Sequence, residues 1–174
     1  MVEPIDKIAD EVLDFIEQEI ENKGDEMNLV PIIQGFNLDS MAKVNYGIET
    51  KCYKGENEEL LEKARDVTKE FAMDSLVPQL FFLIMSHFPF LFSQLGFWPE
   101  SALFFGKLAK DITEERDKKN VQFGDYIDRI RELKKVAKPP ITPEILDAQG
   151  VIFILAGFET MSNVMGSFVY FLAR

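Results

Sequence analysis

The longest apolar stretch of this 174-residue chain, TPEILDAQGVIFILAGFETMSNVMGSFVYFLA, covers residues 142–173. Its first three residues suit a helix start: Thr as N-cap, Pro at the first helical position and Glu near the positive end of the helix. From Ala148 to Ala173, 26 residues contain one charged side chain, Glu159. A helix that is apolar on all sides is buried in a large core or in lipid. We therefore predict one long, buried helix over about 142–173.

The middle of this helix has the sequence Ala156-Gly157-Phe158-Glu159-Thr160. Thr160 follows Ala156 by four residues, so its hydroxyl can bond the Ala156 carbonyl and bend the helix. Gly157 removes side-chain bulk at that bend. The spacing predicts a small groove with a hydroxyl on one side and the buried carboxyl of Glu159 beside it, which is a proton-delivery arrangement. A helix kink with an acid that is merely hydrogen-bonded explains the same residues equally well.

The rest of the chain predicts an all-α fold. Apolar residues recur at three- and four-residue steps, and no run alternates with period two for long enough to require a strand. The residues between the helices include Cys52, expected as an unreactive thiol in an exposed loop over 52–57. Glu62 and Arg65 are expected to form a solvent-exposed ion pair, and the charged run 114–119 to be solvated. The other predicted helices run from Ile5 to an end near Gly24 and over about 28–48, 58–76, 99–119 and 123–133.

Residues 75–99 form an uncharged, Phe-rich segment if the single histidine, His87, is neutral. Pro78, Pro89 and Pro99 break it into pieces shorter than the roughly 20 residues that a membrane span needs. We expect short helices that cap an apolar cavity or lie in a membrane interface. A lone His beside Phe residues favours a surface or cavity-wall position over a metal ligand.

Composition excludes several classes of function. Nineteen basic against thirty acidic residues give a net charge of −11, which disfavours nucleic acid as a partner. One cysteine and one histidine exclude an internal disulfide and a multi-cysteine or His-based metal site, so no metal ligands are expected in this chain, and an intracellular compartment fits. A transmembrane helix over 148–173 is disfavoured by the central Glu159. A non-catalytic acidic helical module, binding a partner through a Phe-rich face, remains the alternative from another class.

The Ala156–Thr160 sequence matches the pattern [Ala/Gly]-Gly-x-[Asp/Glu]-Thr at every position, and in this the chain resembles the cytochrome P450 family in its oxygen-activation helix. Two looser likenesses support it. Phe88-Pro89-Phe90-Leu91 resembles a membrane-facing substrate-entry segment, and residues 39–48 resemble a helix that ends in a Phe-Gly or Tyr-Gly pair. The resemblance is to animal microsomal, drug- and toxin-metabolising P450s. It implies that residues 1–174 are the helical middle portion of the P450 fold.

The resemblance implies a haem-thiolate monooxygenase, which inserts one oxygen atom from O2 into an apolar small-molecule substrate. Electrons would come from NADPH-cytochrome P450 reductase at the cytoplasmic face of the endoplasmic reticulum membrane. Thr160 would stabilise the activated oxygen, Glu159 would feed its proton from solvent, and Ala156 and Gly157 would face the haem and the oxygen. The substrate pocket would be lined by Ile152, Leu155, Phe88 and Phe90.

The sequence also departs from the family pattern. The family holds haem through the cysteine of a Phe-x-x-Gly-x-Arg-x-Cys-x-Gly loop, which does not occur here, and Cys52 has none of that surround. We therefore expect these residues alone to retain no haem and to be inactive. The N-terminal membrane anchor is expected to be missing too. Met161 replaces the usual Thr or Ser after the motif.

Overall fold

A computed structural model describes residues 2–24, 26–72, 76–88 and 100–174, and every regular element in these ranges is a helix. The all-α prediction is confirmed. A π-helical turn, Ala42–Tyr46, continues the second helix, and a 3-10 helix, Cys52–Lys54, precedes the third. The α-helices are α1 (Val2–Lys23), α2 (Leu29–Met41), α3 (Glu58–Glu70), α4 (Leu76–His87), α5 (Glu100–Lys119), α6 (Tyr126–Val136) and α7 (Pro143–Leu172).

The helix expected over 28–48 changes from α-helix to π-helix in its last third. The side chain of Asn28 caps the start of α2 by accepting from the Val30 N–H at 3.1 Å. The π-helical turn then ends at Gly47, whose φ is +65°. A Cβ on Gly47 would lie 2.4 Å from Asp125 Oδ2, so this position needs glycine for its conformation and for its lack of bulk.

The main core lies where α7 packs against α2, α3 and α5. A smaller cluster of Val12, Ile32 and Tyr53 joins α1 and α2 to the 3-10 helix. Because the packed helices cover one side of α7, the other side of this long helix stays open. The buried residues of the main core are Leu38, Cys52, Leu61, Ala64, Val67, Ala102, Phe105, Val151, Ile154 and Phe158.

The prediction of a solvated end for α5 is wrong at Arg116, which is 4% exposed. Its two terminal nitrogens each donate to one oxygen of Asp125 at 2.6 Å, and Nη2 also donates to the Tyr46 carbonyl at 2.5 Å. Nη1 donates to Asp128 Oδ1 at 3.2 Å. Burial alone would lower the pKa of Arg116, but the two carboxylates hold it above its usual range. The guanidinium is buried because two acids on the next segment neutralise it.

Those two acids also move the start of the next helix. Asp125 Oδ1 accepts from the Asp128 N–H at 3.1 Å, which makes Asp125 the N-cap of α6. The helix therefore begins at Tyr126 and not at the predicted Phe123. Burial opposes ionisation of Asp128, but the N–H groups of Phe123 and Gly124, then Arg131 and Arg116, lower its pKa below the usual value.

Cys52 was expected in an exposed loop, and that prediction is wrong. The residue is 2% exposed in the 3-10 helix, because the buried carboxylate of Asp39 ties this segment to α2. Asp39 accepts from the backbone N–H groups of Cys52 at 2.9 Å and Tyr53 at 3.2 Å, and from the Thr50 hydroxyl at 2.6 Å. Burial, with the nearby Asp39 charge, raises the pKa of the Cys52 thiol to about 12. The reactive thiolate form is thereby disfavoured.

The predicted ion pair of Glu62 with Arg65 is also wrong. Arg65 turns toward α2, where its Nε and Nη2 donate to Gln34 Oε1 at 3.0 and 2.7 Å. Glu62 stays exposed on the surface of α3. The Gln34 amide binds the Arg65 guanidinium because α2 and α3 are packed neighbours.

The apolar segment 75–99 is described in part. Residues 76–87 form the short helix α4 with Pro78 in its first turn, as expected for one of several short pieces. Ser75 and residues 89–99, with Pro89 and Pro99, lie outside the described residues. His87 is exposed at the end of α4, with Nδ1 at 2.9 Å from the Leu83 carbonyl, in the predicted surface position.

Candidate active site on α7

The hydrogen bond within the Ala156–Thr160 turn follows the sequence prediction. Thr142 occupies the N-cap position of α7 without a side-chain capping hydrogen bond, and Pro143 is the first residue of the helix. The Thr160 hydroxyl donates to the Ala156 carbonyl at 2.6 Å and approaches the Gly157 carbonyl at 3.4 Å. The predicted bond from the hydroxyl to the carbonyl four residues earlier is confirmed. It adds a second donor to a carbonyl of the helical ladder, which weakens the ladder at this point.

The motif faces outward in the described structure. Ala156, Glu159 and Thr160 are exposed, whereas Ile154 and Phe158 point into the core. The prediction of a buried carboxyl at Glu159 is therefore wrong here. The physical reason is that α2, α3 and α5 cover one side of α7, and Glu159 lies on the other.

The predicted pocket residues differ in burial. Ile152 is 47% exposed and lies four residues before Ala156, so it continues the open face. Leu155 is half-buried and packs against the main core. Phe88 is 62% exposed just beyond α4, so it shares no buried environment with Leu155. Phe90 lies outside the described residues.

Gly157 lies against Met41 of α2. A Cβ at this position would lie 2.9 Å from Cε of Met41. The space left by the missing side chain is filled by Met41 and does not form the predicted groove. Gly157 thus lets α2 lie directly against the turn that carries Glu159.

Sequence reasoning missed the residue of α2 that holds this turn. Asn37 is 6% exposed, and its Nδ2 donates to the carbonyls of Phe158 at 2.6 Å and Gly157 at 3.2 Å. Nδ2 also lies 3.2 Å from Ser162 Oγ, which itself donates to the Phe158 carbonyl at 2.6 Å. The one sequence signal was an amide within the apolar run of α2, which does not indicate a partner more than a hundred residues away.

One helix among the described residues is long and apolar enough to cross a bilayer by length and composition: Ala148–Leu172, with a mean hydropathy of 1.4. It is the same helix that packs on α2, α3 and α5 along one side. Its composition alone does not separate a core helix from a span.

The open face of α7 carries a small side chain, a hydroxyl and a carboxylate. Ala156 presents only a methyl group, Thr160 a hydroxyl and Glu159 an exposed acid.

The family model that matches residues 1–174 is described as Cytochrome P450. The chain belongs to the cytochrome P450 family. The motif match found in the sequence is thus part of a likeness over the whole chain.

Relatives from insects and mammals agree with this assignment. The chain is 31% identical over 160 residues to cytochrome P450 6A1 of Musca domestica, covering 86% of this chain and 30% of the relative. It is 26% identical over 181 residues to cytochrome P450 3A2 of Rattus norvegicus, covering 97% and 35%. Cytochrome P450 3A16 of Mus musculus gives 27% identity with the same coverage. The chain spans about a third of the length of these relatives.

The residues present fit one side of a haem group. P450 proteins contain haem, and the open face of α7 offers a flat group the Ala156 methyl and the Thr160 hydroxyl without a bulky side chain between them. Cys52 does not fit as the thiolate ligand, because it is buried in the main core beside Leu38 and its pKa is about 12. Among the residues that the structure describes, no three His, Cys, Asp or Glu side chains are grouped to hold a metal ion.

Proposed function

We propose that these 174 residues are the oxygen-side segment of a haem-thiolate monooxygenase that inserts one atom of O2 into an apolar substrate. The observation that carries the proposal is the Ala156–Thr160 turn, with its hydroxyl and carboxylate on the open face of α7. Membership of the P450 family supports the monooxygenase class. The NADPH-derived electrons and the choice of substrate are parts of the proposal.

The protein's own residues would move and hold protons at this face. Haem, when bound, supplies the site of oxygen binding and the oxidising chemistry. Glu159 is exposed, so its carboxyl exchanges protons with solvent and passes them toward the Thr160 hydroxyl. Thr160 Oγ1 donates its hydrogen to the Ala156 carbonyl, and its lone pairs can accept a hydrogen bond. To pass a proton on, the hydroxyl would turn from that carbonyl and give up its own hydrogen as it accepts one from the side of Glu159. Ala156 keeps bulk away from the reacting atoms, whereas Gly157, predicted to face them too, lies against Met41 of α2.

The apolar substrate would lie along the same face. Ile152 is placed to contact it one turn before the motif, because its side chain is 47% exposed on the open side. Leu155, Phe88 and Phe90 complete the proposed lining. The proposed partner is NADPH-cytochrome P450 reductase, at the cytoplasmic face of the endoplasmic reticulum membrane.

The test is a carbon-monoxide difference spectrum of the reduced protein. We expect the full-length protein that contains these residues to give the red-shifted band of a thiolate-bound haem. The 174 residues alone, mixed with haem, should give no such band, because their single thiol is buried with a pKa of about 12. The Cys52→Ser variant of the full-length protein is the control and should keep the band.

Two results would overturn the proposal. A full-length protein that binds haem without the thiolate band is not a haem-thiolate enzyme. A thiolate band from the 174 residues alone would place the ligand inside this segment, which contradicts its assignment to the oxygen side.

A further inference from the structure

The Asn37 amide contacts the α7 backbone directly beside the proposed proton-delivery residues. Its Nδ2 lies 2.6 Å from the Phe158 carbonyl and 3.2 Å from the Gly157 carbonyl. The Phe158 carbonyl and the Glu159 N–H belong to one peptide plane, and such planes are rigid. A donor on that carbonyl therefore fixes the plane from which Glu159 projects.

Hydrogen-bond chemistry determines the orientation of the amide. The Ser162 hydroxyl gives its hydrogen to the Phe158 carbonyl at 2.6 Å, so its oxygen can accept from Asn37 Nδ2 at 3.2 Å. All three neighbours of Nδ2 are then acceptors. With the amide reversed, its carbonyl oxygen would face two backbone carbonyls, which is repulsive. The Asn37 NH2 group is thus directed at the turn.

The turn is held from two sides with different exposure. On the open side, the Thr160 hydroxyl donates to the Ala156 carbonyl at 2.6 Å. On the buried side, Asn37 and Ser162 are 6% and 8% exposed. Asn37 donates to the carbonyls of Gly157 and Phe158, and Ser162 donates to that of Phe158. Three successive carbonyls of α7 therefore carry side-chain donors within a continuous α-helix. Gly157 permits this arrangement because it lets α2 approach closely.

We infer that Asn37 of α2 is a positioning residue for oxygen activation, which acts through the Phe158 carbonyl to hold the Glu159–Thr160 turn in its proton-delivering geometry. This inference rests on the proposed function. Without the amide, the Phe158 carbonyl loses the contact that ties this turn to α2, and the Glu159 carboxyl and Thr160 hydroxyl lose their fixed relative placement. Protons then arrive in the wrong place, and NADPH, a proton and O2 give NADP+ and hydrogen peroxide with no oxidised substrate.

The experiment measures coupling in the full-length, reductase-reconstituted enzyme. Product and hydrogen peroxide are measured per NADPH consumed and normalised to the thiolate haem present. Asn37→Ala should lower product per NADPH by roughly two- to tenfold, the effect of one lost hydrogen bond, with hydrogen peroxide rising to match. Asn37→Ser keeps one donor and should recover part of the loss. Ser162→Ala should shift the ratio in the same direction by less, and the double variant should be non-additive.

A matched control separates positioning from stability. Ile32→Ala also removes a buried side chain of α2, but Ile32 packs in the cluster with Val12 and Tyr53, away from the motif. It should reduce the amount of folded enzyme and leave product per NADPH unchanged. If Asn37→Ala gives no folded haem protein, the product formed per NADPH by Asn37→Ser and Ser162→Ala tests the positioning role instead.

The outcomes distinguish this inference from the function on which it rests. A wild-type enzyme without thiolate haem refutes the proposed function. A wild-type enzyme that is active and coupled, with unchanged coupling in Asn37→Ala and in the two milder variants, refutes the positioning role alone. Equal loss of coupling in Ile32→Ala would also refute it, since general loosening of α2 would then suffice.

Discussion

We expect Arg116→Ala to lower the free energy of unfolding by about 3–5 kcal/mol, because it leaves buried carboxylates without their cation. Arg116 is 4% exposed and binds both oxygens of Asp125 at 2.6 Å. The Tyr46 carbonyl loses its donor as well. Together these contacts join the end of α5 to the start of α6 and to the π-helical turn.

Chemical denaturation of the full-length protein, followed by helical circular dichroism, measures this effect. Arg129→Ala is the matched control, because the Arg129 side chain is 70% exposed and pairs with Glu132 at 3.2 Å on the surface. Its removal should cost less than about 1 kcal/mol. Equal destabilisation by the two variants would show that the Arg116 cluster does not hold these helices together.

The second large effect is expected at Glu159. In the reconstituted full-length enzyme, Glu159→Gln should slow product formation by about 10²–10⁴-fold, the contribution of one general acid. The amide keeps the size of the side chain and its exposed position, but it cannot relay a proton. Product formation per thiolate haem at saturating substrate is the measurement. With Thr160→Ala, the combined loss should be far smaller than the product of the two, because both residues serve one proton path.

Glu114→Gln provides the control for Glu159. It makes the same chemical change on an exposed residue of α5, outside the motif, and should leave the rate unchanged. A Glu159→Gln enzyme as fast as this control would remove Glu159 from the proton path. The motif would then be a helix distortion with an acid beside it.

The sequence predicted the features that depend on neighbours along the chain. The start of α7 follows from Thr142 and Pro143, and the Thr160 bond to the Ala156 carbonyl follows from a spacing of four. Capping and bonds within one turn of helix are local interactions, so a short window of sequence contains all their partners. This is why the helices and the Thr160 bond could be predicted.

Features set by distant partners could not be predicted. Asn37 and Phe158 are 121 residues apart, and Arg116 reaches Tyr46 across 70 residues. Periodicity marks a side chain as polar but does not identify the helix it will meet. Glu159 shows the same limit, because its exposure depends on which side of α7 the neighbouring helices cover.

The most direct test of the account is the coupling of the Thr160→Ala variant in the full-length enzyme with its reductase. We predict normal thiolate haem and substrate binding, a fall in product per NADPH, and hydrogen peroxide that accounts for the missing electrons. In the proposed mechanism, the cause is loss of the hydroxyl that would join Glu159 to the reacting oxygen. Unchanged product per NADPH would contradict the assignment of the Ala156–Thr160 turn as the proton-delivery site.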